Sequence, residues 1–218
     1  MKKFFYIVFF LQITFFSFEA YASKELRAAC LKYMDETKIT ITYSSKKIKY
    51  YHQYSQKYIQ KKAKLEKVDG LTDFKASFSI AFKIGKERVK KNLYCVYPAD
   101  IKLSLEMGQD IFIAKEVKKG TCRYANVVRH EQTHAQINQT IFEHYLPIMK
   151  KRFIEVVRKN AVGALNQDIS FERAEKELHE KYGKIVTETI DEARKEMEKE
   201  HNKLDADANY EYTDKLCL

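Results

Sequence analysis

Residues 130 to 134 read His130-Glu131-Gln132-Thr133-His134, which is the HExxH pattern. On a helix, side chains four residues apart lie on the same face, so His130 and His134 can bind one metal ion. Glu131 would then lie beside that metal, where its carboxylate can take a proton from a metal-bound water. The pattern therefore predicts a helix that carries two Zn2+ ligands and a general base.

The sequence around this pattern also predicts a helix with a buried face. A continuous stripe at helical spacing includes both histidines, so they face the interior together with apolar side chains. The stripe consists of Val127, His130, His134, Ile137, Ile141, Tyr145 and Ile148. Two ordinary core histidines would fit the same stripe. The four-residue spacing with Glu131 between them favours the metal site.

The N-terminus predicts a secretory signal peptide. Two lysines precede an apolar run from Phe4 to Phe18, and Ala20 and Ala22 provide the small residues before a cleavage site. The run is shorter than a membrane-spanning helix requires, and no later stretch is apolar enough to span a bilayer. We expect residues 1–22 to be removed. Residues 23–218 would then form one exported domain with no membrane span, periplasmic or extracellular in a bacterium.

The mature chain keeps four cysteines, and an even number in an exported protein predicts two disulfides. Four cysteines allow three connectivities. We favour Cys95–Cys122, which would join a strand to the start of the HExxH helix, and Cys30–Cys217, which would join the two ends of the domain. A structural zinc site is the weaker interpretation because no pair has CxxC spacing.

The chain is basic, and removal of residues 1–22 (Lys2, Lys3 and Glu19) lowers its formal net charge from +10 to +9. A basic surface can attract nucleic acid, anionic lipid or anionic cell-wall polymers. Here the charge comes from lysines scattered along the chain, with few arginines and no dense patch. We therefore interpret the charge as a solvated surface and expect no specific nucleic-acid partner.

The remaining pattern predicts an α+β fold. Alternating or apolar runs predict strands near residues 39–43, 74–83, 92–97, 101–106 and 110–115. A Lys- and Tyr-rich helix is expected over 46–67. The HExxH helix should run from about Cys122 to 162, with a kink or break at Pro147. After an N-cap at Ser170, another long helix should extend from 171 to about 204.

These elements predict one arrangement of the sheet and the two long helices. A small antiparallel or mixed sheet would pack on the HExxH helix, and the C-terminal helix would run antiparallel to that helix. With a turn near residues 166–167, His134 lies opposite residue 199 and His130 opposite residue 203. His201 then has the right height and faces inward, so it is the predicted third zinc ligand.

Other residues stay open for the third ligand. Asp205, one turn beyond His201, is the alternative ligand or the partner that orients a ligand histidine. Further candidates are Glu198, Asp207 and Glu188. Near the C-terminus, Tyr210 or Tyr212 could donate a hydrogen bond to an oxyanion, although packing of the tail is the favoured interpretation for both.

The residues His130 to His134, after a strand in an exported chain, resemble the zincin metallopeptidase superfamily, which implies a zincin-like fold. More narrowly, the stretch from Ile111 to Tyr145 resembles small secreted bacterial zincin-like proteins of uncharacterised function. The resembling segments are Ile113-Ala114-Lys115-Glu116, Gly120-Thr121-Cys122 and the HExxH with Asn138. They cover less than a third of the mature chain. The resemblance implies that His130 and His134 bind zinc and that Glu131 is catalytic.

We therefore predict a secreted zinc-dependent hydrolase and, within that class, a metallopeptidase. An open strand edge near Ile111 to Ala114 would bind an extended peptide or protein substrate. Two alternatives stay open. The fold could have lost catalysis and serve as a periplasmic binding or structural protein, or it could be a cell-wall amidase attracted to anionic glycan. The sequence indicates no oligomeric state.

Overall fold

The computed structural model describes residues 30–206 and Cys217, except for residues 32, 34, 67, 91, 92, 160, 161 and 165–170. Several sequence predictions therefore lie outside the described residues. They are the signal peptide at 1–22, the N-cap Ser170, the ligand candidate Asp207, and Tyr210 and Tyr212.

The described residues form five strands and three helices, an α+β fold as predicted. In chain order they are β1 (Lys38–Ser45), β2 (Lys49–Tyr51), α1 (Gln56–Ala63), β3 (Gly70–Lys90), β4 (Leu93–Ile113), α2 (Cys122–Lys159), β5 (Val162–Ala164) and α3 (Phe171–Leu204). Within this part of the chain, no helix combines the length and the apolar character that crossing a membrane requires.

Strand β4 is the centre of the sheet, because β1, β2, β3 and β5 each pair with it. β2 runs parallel to β4, with Tyr50 opposite Ile111. β5 runs antiparallel to β4, with Gly163 opposite Cys95. The sheet therefore contains both parallel and antiparallel pairs.

The predicted open edge near Ile111 to Ala114 is wrong. β2 pairs with residues 110–112, and the backbone N–H of Ala114 donates to Asp69 O at 2.8 Å. Ile111 and Ala114 are fully buried. The continuous apolar run is typical of a strand with neighbours and covered faces, so it could equally have predicted a central strand.

Two other predicted segments differ in the structure. The expected helix over 46–67 is instead β2 followed by the short helix α1, because Ser55 acts as the N-cap and accepts a hydrogen bond from the Tyr58 N–H. The short strands expected over 74–115 are two 21-residue strands, since β4 continues through Pro98 and Gly108. The long C-terminal helix is confirmed, and α2 continues through Pro147.

The described residues divide into two compact units. The first contains the chain up to Thr40, Ile80–Leu103 and Arg152–Lys184. Its core includes Phe153 and Tyr182, whose ring centroids lie 5.7 Å apart.

The second unit contains Ile41–Ser79, Ser104–Lys151 and the chain from Ile185. One core cluster in it packs apolar residues from α1, β4, the following loop and α2. Its buried members are Ile59, Ile111, Phe112, Ile113, Ala114, Val117 and Ala135. Val127 and Val128, just before the HExxH residues, pack against this cluster, and Ala135 directly follows those residues.

The count of two disulfides is confirmed, but the predicted pairing is wrong. Cys30 bonds to Cys95 in the first unit, and Cys122 bonds to Cys217 in the second. Cys95 lies near the start of β4, whereas Cys122 follows the end of that strand. The strand rises by roughly 3.3 Å per residue, so its length greatly exceeds the Cα–Cα distance of 5.5 Å in the observed disulfides. Cys95 and Cys122 are therefore too far apart to bond to each other.

Candidate metal centre

Three side-chain atoms that can bind a metal ion lie close together within the second unit. His130 Nε2 lies 3.0 Å from His134 Nε2. Asp205 Oδ1 lies 2.9 Å from His130 Nε2 and 3.0 Å from His134 Nε2. Helix α2 places both histidines on one face, and Asp205 directly follows α3, with its backbone N–H donating to His201 O at 2.8 Å. The last helical turn thus presents a carboxylate to the histidine pair.

The donor chemistry and the spacing fit a zinc ion. Imidazole nitrogens and carboxylate oxygens are usual zinc ligands. Tetrahedral bonds of about 2.0–2.1 Å place ligand atoms roughly 3.3–3.4 Å apart, so the three atoms would need to separate by only about 0.4 Å. His134 is buried, whereas His130 and Asp205 are partly exposed. These three residues could hold a metal ion.

His201, the predicted third ligand, lies beside His134 but outside this three-atom group. His201 Nδ1 is 2.8 Å from His134 Nδ1, and His201 Nε2 is 2.8 Å from Asn138 Oδ1. Both ring nitrogens of His201 therefore already have partners. Asp205, the alternative candidate, is the residue that the structure brings to His130 and His134, because it lies one helical turn further along.

The electrostatic setting keeps His201 neutral and Asp205 ionised. Burial and the nearby His134 lower the pKa of His201 to about 4. Partial burial raises the pKa of Asp205, but the adjacent His130 and His134 side chains lower it by more, so it lies below its ordinary value. A neutral histidine beside an ionised carboxylate suits a site for a cation.

Glu131 is buried beside the histidines and is held by the first residues of β3. Thr72 Oγ1 lies 2.8 Å from Glu131 Oε2 and 2.8 Å from Glu131 O. The Gly70 backbone passes so close that a Cβ atom there would lie 2.7 Å from Glu131 Cγ and Cδ.

Burial raises the pKa of Glu131, and this outweighs the opposite effects of His134, the Thr72 hydrogen bond and His130. A carboxyl group with a raised pKa can both accept and return a proton.

Polar residues that the sequence did not assign complete the surroundings. Gln109 and Asn138 are 3% and 2% exposed, and they hydrogen-bond to each other at 3.0 Å. What could have indicated them is a polar residue within each element, Gln109 in β4 and Asn138 in α2, at a position that is buried. Gly70 and Thr72 carried no such signal, because some sixty residues separate them from Glu131.

The remaining ligand candidates do not join the group. Of the described residues, neither Glu188 nor Glu198 has a donor atom in the convergence of His130, His134 and Asp205.

A cavity of about 360 Å3 lies at the start of α2 in the same unit. Tyr50, Tyr51, Tyr124, His52 and Lys119 are among its lining residues. The Tyr50 hydroxyl also accepts a hydrogen bond from Gln132 Nε2 at 3.1 Å, and Gln132 belongs to the HExxH. An aromatic and cationic surface therefore adjoins the helix that carries the histidines.

Comparison with known proteins gives no relative, because no family model, no curated protein and no solved structure matches this chain.

Proposed function

We propose that this protein is an exported zinc-dependent hydrolase of the zincin type and, within that class, a peptidase. The observation that carries the proposal is the convergence of His130 Nε2, His134 Nε2 and Asp205 Oδ1, with all three separations at 2.9–3.0 Å. The nitrogen lone pairs of two histidines and a carboxylate repel one another at this distance, and a cation bound between them would remove that repulsion. The adjacent Glu131 provides the group that handles the proton.

Zinc held by these ligands would polarise a substrate carbonyl and lower the pKa of a neighbouring water. Glu131 accepts the proton of the attacking water and then returns it to the leaving amine. Its burial and its raised pKa suit both steps. Thr72 and Gly70 keep its carboxyl group in one position, which reduces the reorganisation that the reaction requires.

An extended peptide would bind along the first residues of β3. Among the described residues β3 pairs only with β4, and Gly70 and Thr72 of β3 contact Glu131. A strand with one unpaired side can add a peptide as a further strand. This edge replaces the one expected near Ile111 to Ala114.

Export is consistent with the two disulfides, because disulfides persist in oxidising compartments. The proposed setting is the periplasm or the extracellular space of a bacterium, after removal of residues 1–22. The substrate would then be a peptide or protein at the cell surface.

A second candidate function is metal binding without catalysis. The observation that favours it is the tight packing of Glu131, which is 5% exposed and whose carboxyl is held by Thr72. A carboxyl group that is buried and hydrogen-bonded in this way can have a purely structural role. In that case the metal would be structural.

The substitution Glu131→Gln separates the two candidates. A peptidase should keep its zinc but lose at least 100-fold in the hydrolysis of an unfolded protein substrate, because an amide cannot accept the proton. Glu143→Gln is the matched control, since Glu143 is an exposed glutamate of the same helix. Zinc binding without hydrolysis in the wild type would favour the structural role. Release of amines from peptidoglycan alone would favour the amidase.

A further inference from the structure

A chain of buried hydrogen bonds begins at the backbone carbonyl of Ala135. Gln109 Nε2 lies 3.0 Å from Ala135 O. A backbone carbonyl only accepts, so the Gln109 atom facing it must be the NH2 group. The other amide atom, Gln109 Oε1, is then an acceptor, and it faces the Asn138 amide at 3.0 Å.

The orientation of Gln109 determines that of the next two side chains. Because Gln109 Oε1 accepts, the Asn138 atom that faces it must be the NH2 group. Asn138 Oδ1 therefore faces His201 Nε2 at 2.8 Å and accepts its proton. His201 then carries no proton on Nδ1. Reversing either amide would set two acceptors or two donors against each other.

The chain ends at the metal ligand His134. His201 Nδ1 is an acceptor 2.8 Å from His134 Nδ1, so the His134 proton must lie on Nδ1. His134 Nε2 consequently keeps its lone pair. That atom is the one 3.0 Å from Asp205 Oδ1 and 3.0 Å from His130 Nε2.

We propose that Gln109, Asn138 and His201 are positioning residues that fix the tautomer and ring orientation of His134, so that Nε2 is directed at the metal. The chain is built into the core, because Gln109 and Asn138 are almost fully buried. Buried polar groups are costly unless each has a partner, so these residues stabilise one arrangement of donors and acceptors. His201 acts through His134 and does not bind the metal.

This inference rests on the proposed metal site, but its first test does not require metal. Nitrogen NMR of the 15N-histidine-labelled, metal-free protein distinguishes the two tautomers of each neutral ring. We expect the His134 proton on Nδ1 and the His201 proton on Nε2. A His134 ring without a proton on Nδ1 would overturn the proposal. In Asn138→Leu, which removes the acceptor, His201 should lose its single tautomer.

The second test measures zinc affinity by competition with a chelator. His201→Leu should weaken zinc binding by about 10–100-fold, as is usual when the hydrogen-bond partner of a ligand histidine is removed. His201→Gln should stay within a few-fold of wild type, because its amide can still accept from His134 and donate to Asn138. His144→Leu, at an exposed position of α2, should change nothing.

A failure of this proposal can be distinguished from a failure of the proposed hydrolase function. If His201→Gln loses as much affinity as His201→Leu, His201 is itself a ligand and the proposal fails. If both variants bind zinc like the wild type, the chain has no positioning role and the proposal also fails. A wild type without zinc but with the expected tautomers would refute the hydrolase and leave the hydrogen-bond chain intact.

Discussion

The close approach of Gly70 to Glu131 predicts a specific defect in Gly70→Ala. The new Cβ would lie 2.7 Å from Glu131 Cγ and Cδ, whereas ordinary contact begins at 3.4 Å. Because Glu131 Oε1 would lie closer still, Glu131 must move by at least about 0.7 Å, and Thr72 would lose its 2.8 Å hydrogen bond to the carboxyl group. A displacement of about 1 Å in a catalytic group costs on the order of 100-fold in rate.

We expect kcat/KM of Gly70→Ala on an unfolded protein substrate to fall roughly 100-fold, which corresponds to about 2.7 kcal/mol. Overpacking should also lower the free energy of unfolding by about 1–3 kcal/mol. Zinc affinity should be unchanged, because the three ligand atoms are not touched. Gly108→Ala is the matched control, since among the described residues, its chain neighbours aside, the nearest atom to the new Cβ would be Lys46 Cδ at 3.8 Å.

A double-mutant cycle isolates the contact. In a Glu131→Ala background, Gly70→Ala should no longer destabilise the protein, because the side chain that the new methyl group meets is absent. If Gly70→Ala has wild-type activity and stability, or if its cost persists without the Glu131 side chain, this account of the Glu131 environment is refuted.

Two further predictions concern stability. Because burial raises the pKa of Glu131 above its value in the unfolded chain, the ionised form destabilises the fold above that unfolded pKa. Glu131→Gln should therefore raise the thermal unfolding midpoint of the metal-free protein at pH 7, while Glu143→Gln should not; a lower midpoint would contradict the assignment. Replacing both Cys122 and Cys217 with serine should lower the free energy of unfolding by about 2–5 kcal/mol in denaturant titrations. It should also weaken zinc binding, since this disulfide ties Cys217, twelve positions after Asp205, to the start of α2; unchanged zinc affinity would contradict a role of the disulfide in the metal site.

The helix that carries the site could be predicted from the sequence, because the spacing that indicates it involves residues only a few positions apart. His130 and His134 lie on one stripe, and the bounds of α3 follow from its periodicity. An antiparallel pair of helices predicts that His201 lies beside His134, and in the structure the two Nδ1 atoms are 2.8 Å apart. Choosing between His201 and Asp205 requires an accuracy of less than one helical turn, about 5.4 Å, and residue spacing alone does not provide it.

Features that depend on distant pairing could not be predicted in this way. We favoured Cys95–Cys122 because it would join a strand to the start of the HExxH helix, but the predicted short strands are one long strand, β4, in the structure. The three-residue strands β2 and β5 carry too little periodicity to detect. The approach of Gly70 to Glu131 joins residues 61 positions apart, and nothing local marks it.

The most direct test of the central claim is the zinc content of the purified mature protein, measured by mass spectrometry after zinc has been supplied. We predict one zinc per chain in the wild type and in His201→Gln, and none in His134→Ala or Asp205→Asn. A wild type without zinc, or an Asp205→Asn protein that retains it, would contradict the metal centre formed by His130, His134 and Asp205.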